Sequence, residues 1–137
     1  MNYLVDANVL SELTKPEPEP RVVKWLRAHE SELGVNSIIL GELQFGIFIL
    51  PAGHKRTQLL KWFEEGVKRF PSFDFDTQTA NSWARLLAKL RQKGRAMPIK
   101  DSMIAATAKI HKLTVSTRNV ADFENADVKV VNPFELR

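Results

Sequence analysis

Short apolar runs and helical apolar spacings alternate along this chain, and their order predicts strands and helices in turn. The first run, residues 3–5, stops at Asp6, and Val9, Leu10 and Leu13 follow at helical spacing. We therefore expect a strand, an acid and a helix in that order. The next segment alternates proline with glutamate and ends this helix, because proline has no amide hydrogen and clashes with the preceding turn.

Later segments repeat the alternation. We expect further strands at residues 33–36, 73–75, 113–116 and 128–131. Helices are predicted at residues 22–26, 38–50, 55–69, 77–90 and from Pro98 onward. Ser37 is the expected cap of the third helix, and Asp76 or Thr77 is the expected cap of the fifth. Residues 91–95 are expected to form a basic loop.

Strands that alternate with helices, and that are apolar enough to be covered on both faces, indicate an α/β fold. We predict a three-layer α/β/α domain with a central parallel sheet, with residues 1–137 forming a single domain. In such sheets ligands bind beyond the carboxyl ends of the strands. Asp6 and the segment 117–122 both follow predicted strands, so we expect both at that edge of the sheet.

Composition narrows the chemistry that this edge can support. The chain has no cysteine, so disulfides, thiolate metal sites and thiol nucleophiles are excluded, and the histidines lack ligand spacing. A formal net charge of +4 permits binding to a polyanion. The first residues lack the basic region of a signal peptide, and no apolar run approaches the about 18 residues of a membrane span. We expect a cytoplasmic protein without a membrane partner.

Four carboxylates stand beside apolar sequence: Asp6, Glu42, Asp101 and Asp122. A buried charge is costly unless a cation meets it. Glu42 is the most informative, because its neighbours three and four positions away are mostly apolar and place it on the stripe expected to face the core. We interpret the four as a cluster that folding gathers around one or two divalent cations. An all-oxygen site suits Mg²⁺ or Mn²⁺, which can activate water for attack on a phosphodiester.

Each of these acids also has a purely structural explanation. Asp6 fits a helix N-cap, Asp101 fits a first-turn acid favoured by the helix dipole, and Asp122 fits an exposed loop acid. For Glu42 the alternative is a salt bridge to an arginine. Asn119 is a candidate for orienting a metal-bound water or a carboxylate, and a turn-forming asparagine is equally consistent with its position.

Six segments carry motifs in a characteristic order. They are YLVDANVLSEL at residues 3–13, KP followed by V..WL within 15–26, SIILGELQFGI at 37–47, PIKDSMIAATA at 98–108, STRNVADF at 116–123 and VVNPFE at 130–135. In this order and spacing the chain resembles the PIN-domain toxins of the VapC type, and within them the FitB-like plasmid-stability branch. The resemblance covers essentially the whole chain.

This resemblance implies a compact α/β/α PIN-like domain and an endoribonuclease that depends on Mg²⁺, with Mn²⁺ as a substitute. It implies that Asp6, Glu42, Asp101 and Asp122 form an acidic quartet in which Asp6 and Asp101 are the direct metal ligands. Asn119 lies where some relatives carry an acid, so the fourth carboxylate is expected at Asp122. The resemblance also implies a toxin of a type II toxin–antitoxin system, with an RNA substrate, a VapB-like antitoxin and a homodimer or larger toxin–antitoxin assembly.

Several basic residues beside the last two acidic motifs are candidates for RNA contacts, with an ordinary solvated surface as the alternative: Arg91, Lys93, Arg95, Lys100 and Arg118. Two other functions remain open. One is a noncatalytic RNA- or partner-binding module on the same scaffold. The other is a receiver-like signalling domain, but such domains need paired acids after the first strand and a lysine after a late strand, and this sequence has neither.

Overall fold

A five-stranded parallel sheet forms the centre of the molecule. The computed structural model describes residues 2–136. The strands are β1 (Tyr3–Val5), β2 (Leu33–Asn36), β3 (Ser72–Phe73), β4 (Thr114–Ser116) and β5 (Val130–Val131). Their order in the sheet is β3-β2-β1-β4-β5, and each neighbouring pair is parallel. Helices flank this sheet, so the predicted α/β fold with a central parallel sheet is confirmed.

In the part of the chain that the structure describes, six α-helices connect the strands. They are α1 (Ala7–Leu10), α2 (Pro20–Ala28), α3 (Ser37–Phe48), α4 (His54–Glu65), α5 (Thr77–Gln92) and α6 (Ile99–His111). Short 3₁₀ turns cover Ser11–Thr14, Glu30–Glu32, Val67–Arg69 and Val120–Phe123. Within residues 2–136, no helix combines the length and the apolar character needed to span a membrane.

The central strands lie in the apolar core. Leu4 and Val5 of β1 and Val115 of β4 are at most 1% exposed, and Ile39 of α3 and Ile104 of α6 are fully buried with them. The pairing of β1 with β4 sets Val5 opposite Ser116. This register places the residues that follow the two strands side by side, which positions the site described below.

The cap of α3 differs from the prediction. Asn36, not Ser37, caps this helix: its side-chain Oδ1 accepts a hydrogen bond from the Ile39 N–H at 2.8 Å, and its Nδ2 donates to Thr107 Oγ1 at 3.0 Å. Ser37 is the first residue of the helix, and its hydroxyl accepts a hydrogen bond from the Phe75 N–H at 3.3 Å. The buried asparagine therefore ties α3 to α6, which a serine one residue later does not do.

The observed bounds of α4, β3 and α5 also differ from the predicted ones. α4 ends at Glu65, where Gly66 begins the 3₁₀ turn Val67–Arg69 instead of extending the helix to Arg69. β3 occupies Ser72–Phe73 because only these residues pair with β2, through Val35 and Asn36. Asp76 caps α5, as predicted, by accepting a hydrogen bond from the Thr79 N–H at 2.9 Å. α5 then continues to Gln92, so it takes up the start of the predicted basic loop.

Candidate metal centre

Asp6 lies between β1 and α1 and is 1% exposed. Its Oδ1 accepts a hydrogen bond from the Ala7 N–H at 2.8 Å, so it is an N-cap as the structural explanation predicted. Its Oδ2 accepts a hydrogen bond from the Thr117 hydroxyl at 2.8 Å and a longer one from Asn8 Nδ2 at 3.3 Å. Capping uses one oxygen of this carboxylate and leaves the other directed at the residues after β4.

Thr117 and Asn8 also belong to this candidate site, although their sequence positions did not mark them as candidates. Thr117 is fully buried, and its Oγ1 donates to Asp6 and accepts from Asn8 Nδ2 at 3.3 Å. Asn8 Oδ1 accepts a hydrogen bond from the Arg118 N–H at 3.1 Å. These bonds join the loops that follow β1 and β4. The available signal was a hydroxyl residue directly after a predicted strand.

Asp101 lies in the first turn of α6 and is 3% exposed. Its own helix face, with Ile104, Ala105 and Ala108, is buried as predicted. Burial raises the pKa of the Asp101 carboxyl to about 6, with a further contribution from the negative charge of Asp6. The Oδ1 atom of Asp101 is buried and has no hydrogen-bond partner.

Glu42 does not lie on the core-facing stripe, and this part of the prediction was wrong. The buried stripe of α3 is Ile39, Leu43 and Ile47, whereas Phe45 is 65% exposed and the Glu42 side chain is 34% exposed. The apolar spacing gave the wrong direction for Glu42 because α3 is apolar on nearly all sides, so its periodicity does not select one face for the core.

A lysine, not the arginine considered from the sequence, meets the charge of Glu42. Lys100 Nζ contacts Glu42 Oε1 at 2.6 Å, while Glu42 Oε2 is buried without a hydrogen-bond partner. Partial burial works to lower the pKa of Lys100, but the hydrogen bond and charge of Glu42 outweigh it, so that pKa is raised. The ammonium group therefore stays charged beside the acids, and it also interacts with Asp6 and Asp101.

Asp122 joins the site through the 3₁₀ turn Val120–Phe123. It is half-buried and lies close enough to Asp101 for its charge, and a hydrogen bond with the protonated carboxyl, to raise the Asp101 pKa further. Asn119 has an exposed side chain and organises this turn through its backbone. Its N–H donates to Thr117 Oγ1 at 3.1 Å, and its carbonyl accepts from the Asp122 N–H at 3.1 Å.

The structure thus brings Asp6, Glu42, Asp101 and Asp122 to the carboxyl edge of the sheet. Burial raises the pKa of Asp6, against the Thr117 hydrogen bond, and the charge of Glu42 raises it further. Such mutual repulsion is relieved by a cation. Two unpartnered carboxylate oxygens, Glu42 Oε2 and Asp101 Oδ1, fit this need, since carboxylate oxygens suit hard cations such as Mg²⁺.

The acids are near one another but do not form a ready-made cage. Across residues 2–136, no three acidic or histidine side chains already stand close enough together to hold a metal ion. Glu42 is turned toward Lys100, and Asp6 is held by its cap and by Thr117. Binding a cation at this site therefore requires side chains to reorient, and Glu42 and Asp122 are only half-buried.

A fifth buried acid shows why burial alone does not define the site. Glu12 is 5% exposed, yet it is satisfied by Lys15 Nζ at 2.9 Å and by the Glu19 N–H at 2.8 Å. The hydrogen bond from Lys15 lowers the pKa of Glu12. Glu12 is a structural ion pair, whereas Asp101 is a buried acid with a raised pKa and an unpartnered oxygen.

Comparison with known proteins agrees with this architecture. The PIN-domain family model matches residues 3–129. The chain is 36% identical to VapC ribonuclease Y4jK of Sinorhizobium fredii and to Toxin FitB of Neisseria gonorrhoeae, with 96% of this chain and 97% of each relative covered. The chain belongs to the PIN-domain family, as its motifs predicted.

Solved structures show the same relationship. The chain in the structure of FitAB bound to an IR36 DNA fragment matches with a TM-score of 0.92 at 34% identity, covering 98% of this chain and 97% of that one. FitAcB from Neisseria gonorrhoeae matches with a TM-score of 0.88 at 35% identity, covering 98% and 99%. These matches confirm the predicted PIN fold and leave the receiver-like alternative without support.

Proposed function

We propose that this chain is the toxin of a type II toxin–antitoxin system and acts as an endoribonuclease that depends on Mg²⁺, with Mn²⁺ able to replace it. The gathering of four carboxylates at one sheet edge, two of them with unpartnered buried oxygens, carries this proposal. It is supported by relatives that are themselves named VapC ribonuclease and Toxin FitB.

Asp6 and Asp101 are the direct metal ligands in this proposal, with Glu42 as the third carboxylate and Asp122 as the fourth. A bound Mg²⁺ would supply an activated water and offset negative charge on the phosphate under attack. Thr117 positions Asp6 by its 2.8 Å hydrogen bond, and Asn119 positions Asp122 by holding its turn. Asn119 would also orient a metal-bound water.

The partners follow from the same family relationship. We propose that the chain binds a VapB-like antitoxin, forms a homodimer or a larger toxin–antitoxin assembly, acts on RNA, and works in the cytoplasm. The solved relatives include FitAB and VapBC from Salmonella typhimurium, both bound to DNA. Those toxin–antitoxin complexes support an antitoxin partner here.

Cleavage of RNA by purified protein tests the enzymatic part of the proposal. Single-stranded RNA is incubated with the wild type in Mg²⁺ or in EDTA, and with Asp6→Asn and Asp101→Asn in Mg²⁺. Asp74→Asn is the matched control, because Asp74 is an exposed acid after β3 and outside the four-carboxylate cluster. Circular dichroism confirms that each variant is folded.

We expect cleavage only with Mg²⁺, its loss in both site variants, and its retention in Asp74→Asn. Undiminished cleavage by folded Asp6→Asn or Asp101→Asn would overturn the assignment of the site. Metal-independent RNA binding by the wild type without any cleavage would instead favour the noncatalytic RNA-binding module.

A further inference from the structure

Two polar grooves follow the turn that carries Asp122 along the chain, one beside that turn and the other at the amino edge of the sheet, beside the starts of β1 and β4. The first, of about 500 Å³, is lined by basic residues near the end of α5 and by Glu124. The second, of about 480 Å³, is lined by basic residues at the end of α6 and before β5. Asp127 lines both, so the grooves adjoin. We name their basic residues together the basic track: Lys89, Lys93, Arg95, Lys109, Lys112 and Lys129.

Positive charge exceeds negative charge along this track. Its six cations face two carboxylates, Glu124 and Asp127. The ion pairs found within residues 2–136 use Lys15, Arg21, Lys68 and Lys100, and none involves the track. Lys109 is half-buried and donates to the Ala126 carbonyl at 3.3 Å, while the other five are exposed. The track therefore presents amines and a guanidinium that are available to an anionic ligand.

One end of the track lies beside the turn that contains Asp122, and the other end lies at the opposite, amino edge of the sheet. Glu124 follows the 3₁₀ turn Val120–Phe123, which contains Asp122, and the chain then passes through Asp127 to Lys129 before β5. A nucleic-acid strand that leaves the four carboxylates along this segment passes the first groove and then reaches the second at the amino ends of β1 and β4. The first groove therefore adjoins the turn of Asp122, and the second groove extends the track away from the site.

We propose that the basic track binds the phosphate backbone of single-stranded RNA and holds the part of the strand that leads away from the catalytic carboxylates; this rests on the proposed ribonuclease function. Lysine and arginine clusters that follow a groove are the usual means of binding a single-stranded backbone. The groove linings, as far as residues 2–136 describe them, contain no aromatic ring on which a base stacks. The track therefore contributes affinity and direction, but not base recognition.

RNA binding in EDTA tests the track separately from hydrolysis. The variant Lys93→Gln/Arg95→Gln/Lys129→Gln removes three cations, and anisotropy of a labelled RNA long enough to reach both grooves is measured across a salt series. Each backbone contact contributes about 0.7 to the slope of log K against log salt for single strands, so the slope should become shallower by about 2. Affinity should fall by about tenfold or more at ~0.15 M salt.

A matched control separates a local track from total charge. Lys24→Gln/Lys55→Gln/Lys61→Gln removes the same charge from exposed positions on α2 and α4. We expect this control to keep the wild-type slope. Equal slopes for the control and the track variant, whether lowered or unchanged, would overturn the proposal.

Removing the track's carboxylates gives a test of opposite sign. Glu124→Gln/Asp127→Asn should bind RNA more tightly, and asparagine suits position 127 because Asp127 has a φ of 56°. Weaker or equal binding would contradict the track. If the wild type binds RNA along the track but never cleaves it with Mg²⁺, the proposed function fails while the track stands; if it cleaves and the track variants bind normally, only the track fails.

Discussion

Replacing Asp101 by asparagine should stabilise the metal-free protein at neutral pH while abolishing its activity. Burial raises the pKa of Asp101 from an ordinary 3.8 to about 6, and the charges of Asp6 and Asp122 add to this effect against Lys100. Asparagine has nearly the same shape but cannot ionise. The variant therefore removes an unfavourable buried charge along with the metal ligand.

The sign and size of this effect follow from proton linkage. Because the pKa of Asp101 is higher in the folded state than in the unfolded state, the folded state holds an extra proton between pH 3.8 and about 6. Stability therefore falls as pH rises through that window, and the loss is complete above it. The rise in the pKa of Asp101 from 3.8 to about 6 lowers the free energy of unfolding by at most about 3 kcal/mol above this window. At pH 5 the loss is only about half as large.

Thermal unfolding in EDTA measures this difference. At pH 7.5 we expect Asp101→Asn to unfold about 5 to 10 °C above the wild type, and at pH 5 by about half as much. Asp74→Asn, at an exposed position, should shift little at either pH. A lower melting temperature for Asp101→Asn at pH 7.5, or an equal gain at both pH values, would refute the view that Asp101 is held in an unfavourable ionised state.

Three further changes test the surroundings of the site. Thr117→Val removes the hydrogen bond that lowers the pKa of Asp6, so the acidic limb of the pH profile of Mg²⁺-dependent cleavage should move to higher pH. Thr117→Ser should restore the wild-type profile, whereas an unmoved acidic limb in Thr117→Val would contradict a positioning role for Thr117. Lys100→Met removes an ammonium group 2.6 Å from Glu42 that competes with a cation for this carboxylate, so Mn²⁺ binding measured by calorimetry at pH 8 should be several-fold tighter. Weaker binding would mean that Lys100 assists the metal. Asn36→Ala removes a buried helix cap and its hydrogen bond to Thr107, and it should lower the free energy of unfolding in urea by about 2 to 3 kcal/mol. Asp76→Ala removes a more exposed cap and should lower it by about 1 kcal/mol. Equal losses in the two variants would show that burial of Asn36 adds nothing.

Local sequence was sufficient where a residue's role depends on its own element. Asp6 ends an apolar strand, so its placement at the sheet edge was predictable, and so was the position of Asp101 in the first turn of a helix with a buried apolar face. Their roles as metal ligands stay predictions. The order of strands and helices was predictable for the same reason, because the spacing of apolar residues within each segment indicates whether that segment is a strand or a helix.

Contacts between distant segments were not predictable in this way. Thr117 meets Asp6 only because β1 pairs with β4 in the register that sets Val5 opposite Ser116. Lys100 meets Glu42 only because α6 begins beside α3. The uniformly apolar α3 gave no reliable direction for Glu42, since several rotations of that helix bury a similar apolar area. Register and helix rotation are tertiary properties, and they determine which oxygens remain unpartnered.

Calorimetric titration with Mn²⁺ at pH 6 tests the central claim, that the four carboxylates form a cation site, most directly. Because the pKa of Asp101 is about 6, metal binding should release protons, and the measured heat should vary with the ionisation enthalpy of the buffer. The account predicts saturable binding with proton release in the wild type, lost in Asp6→Asn and Asp101→Asn and kept in Asp74→Asn. Absence of binding by the wild type, or the same binding by the site variants, would contradict it.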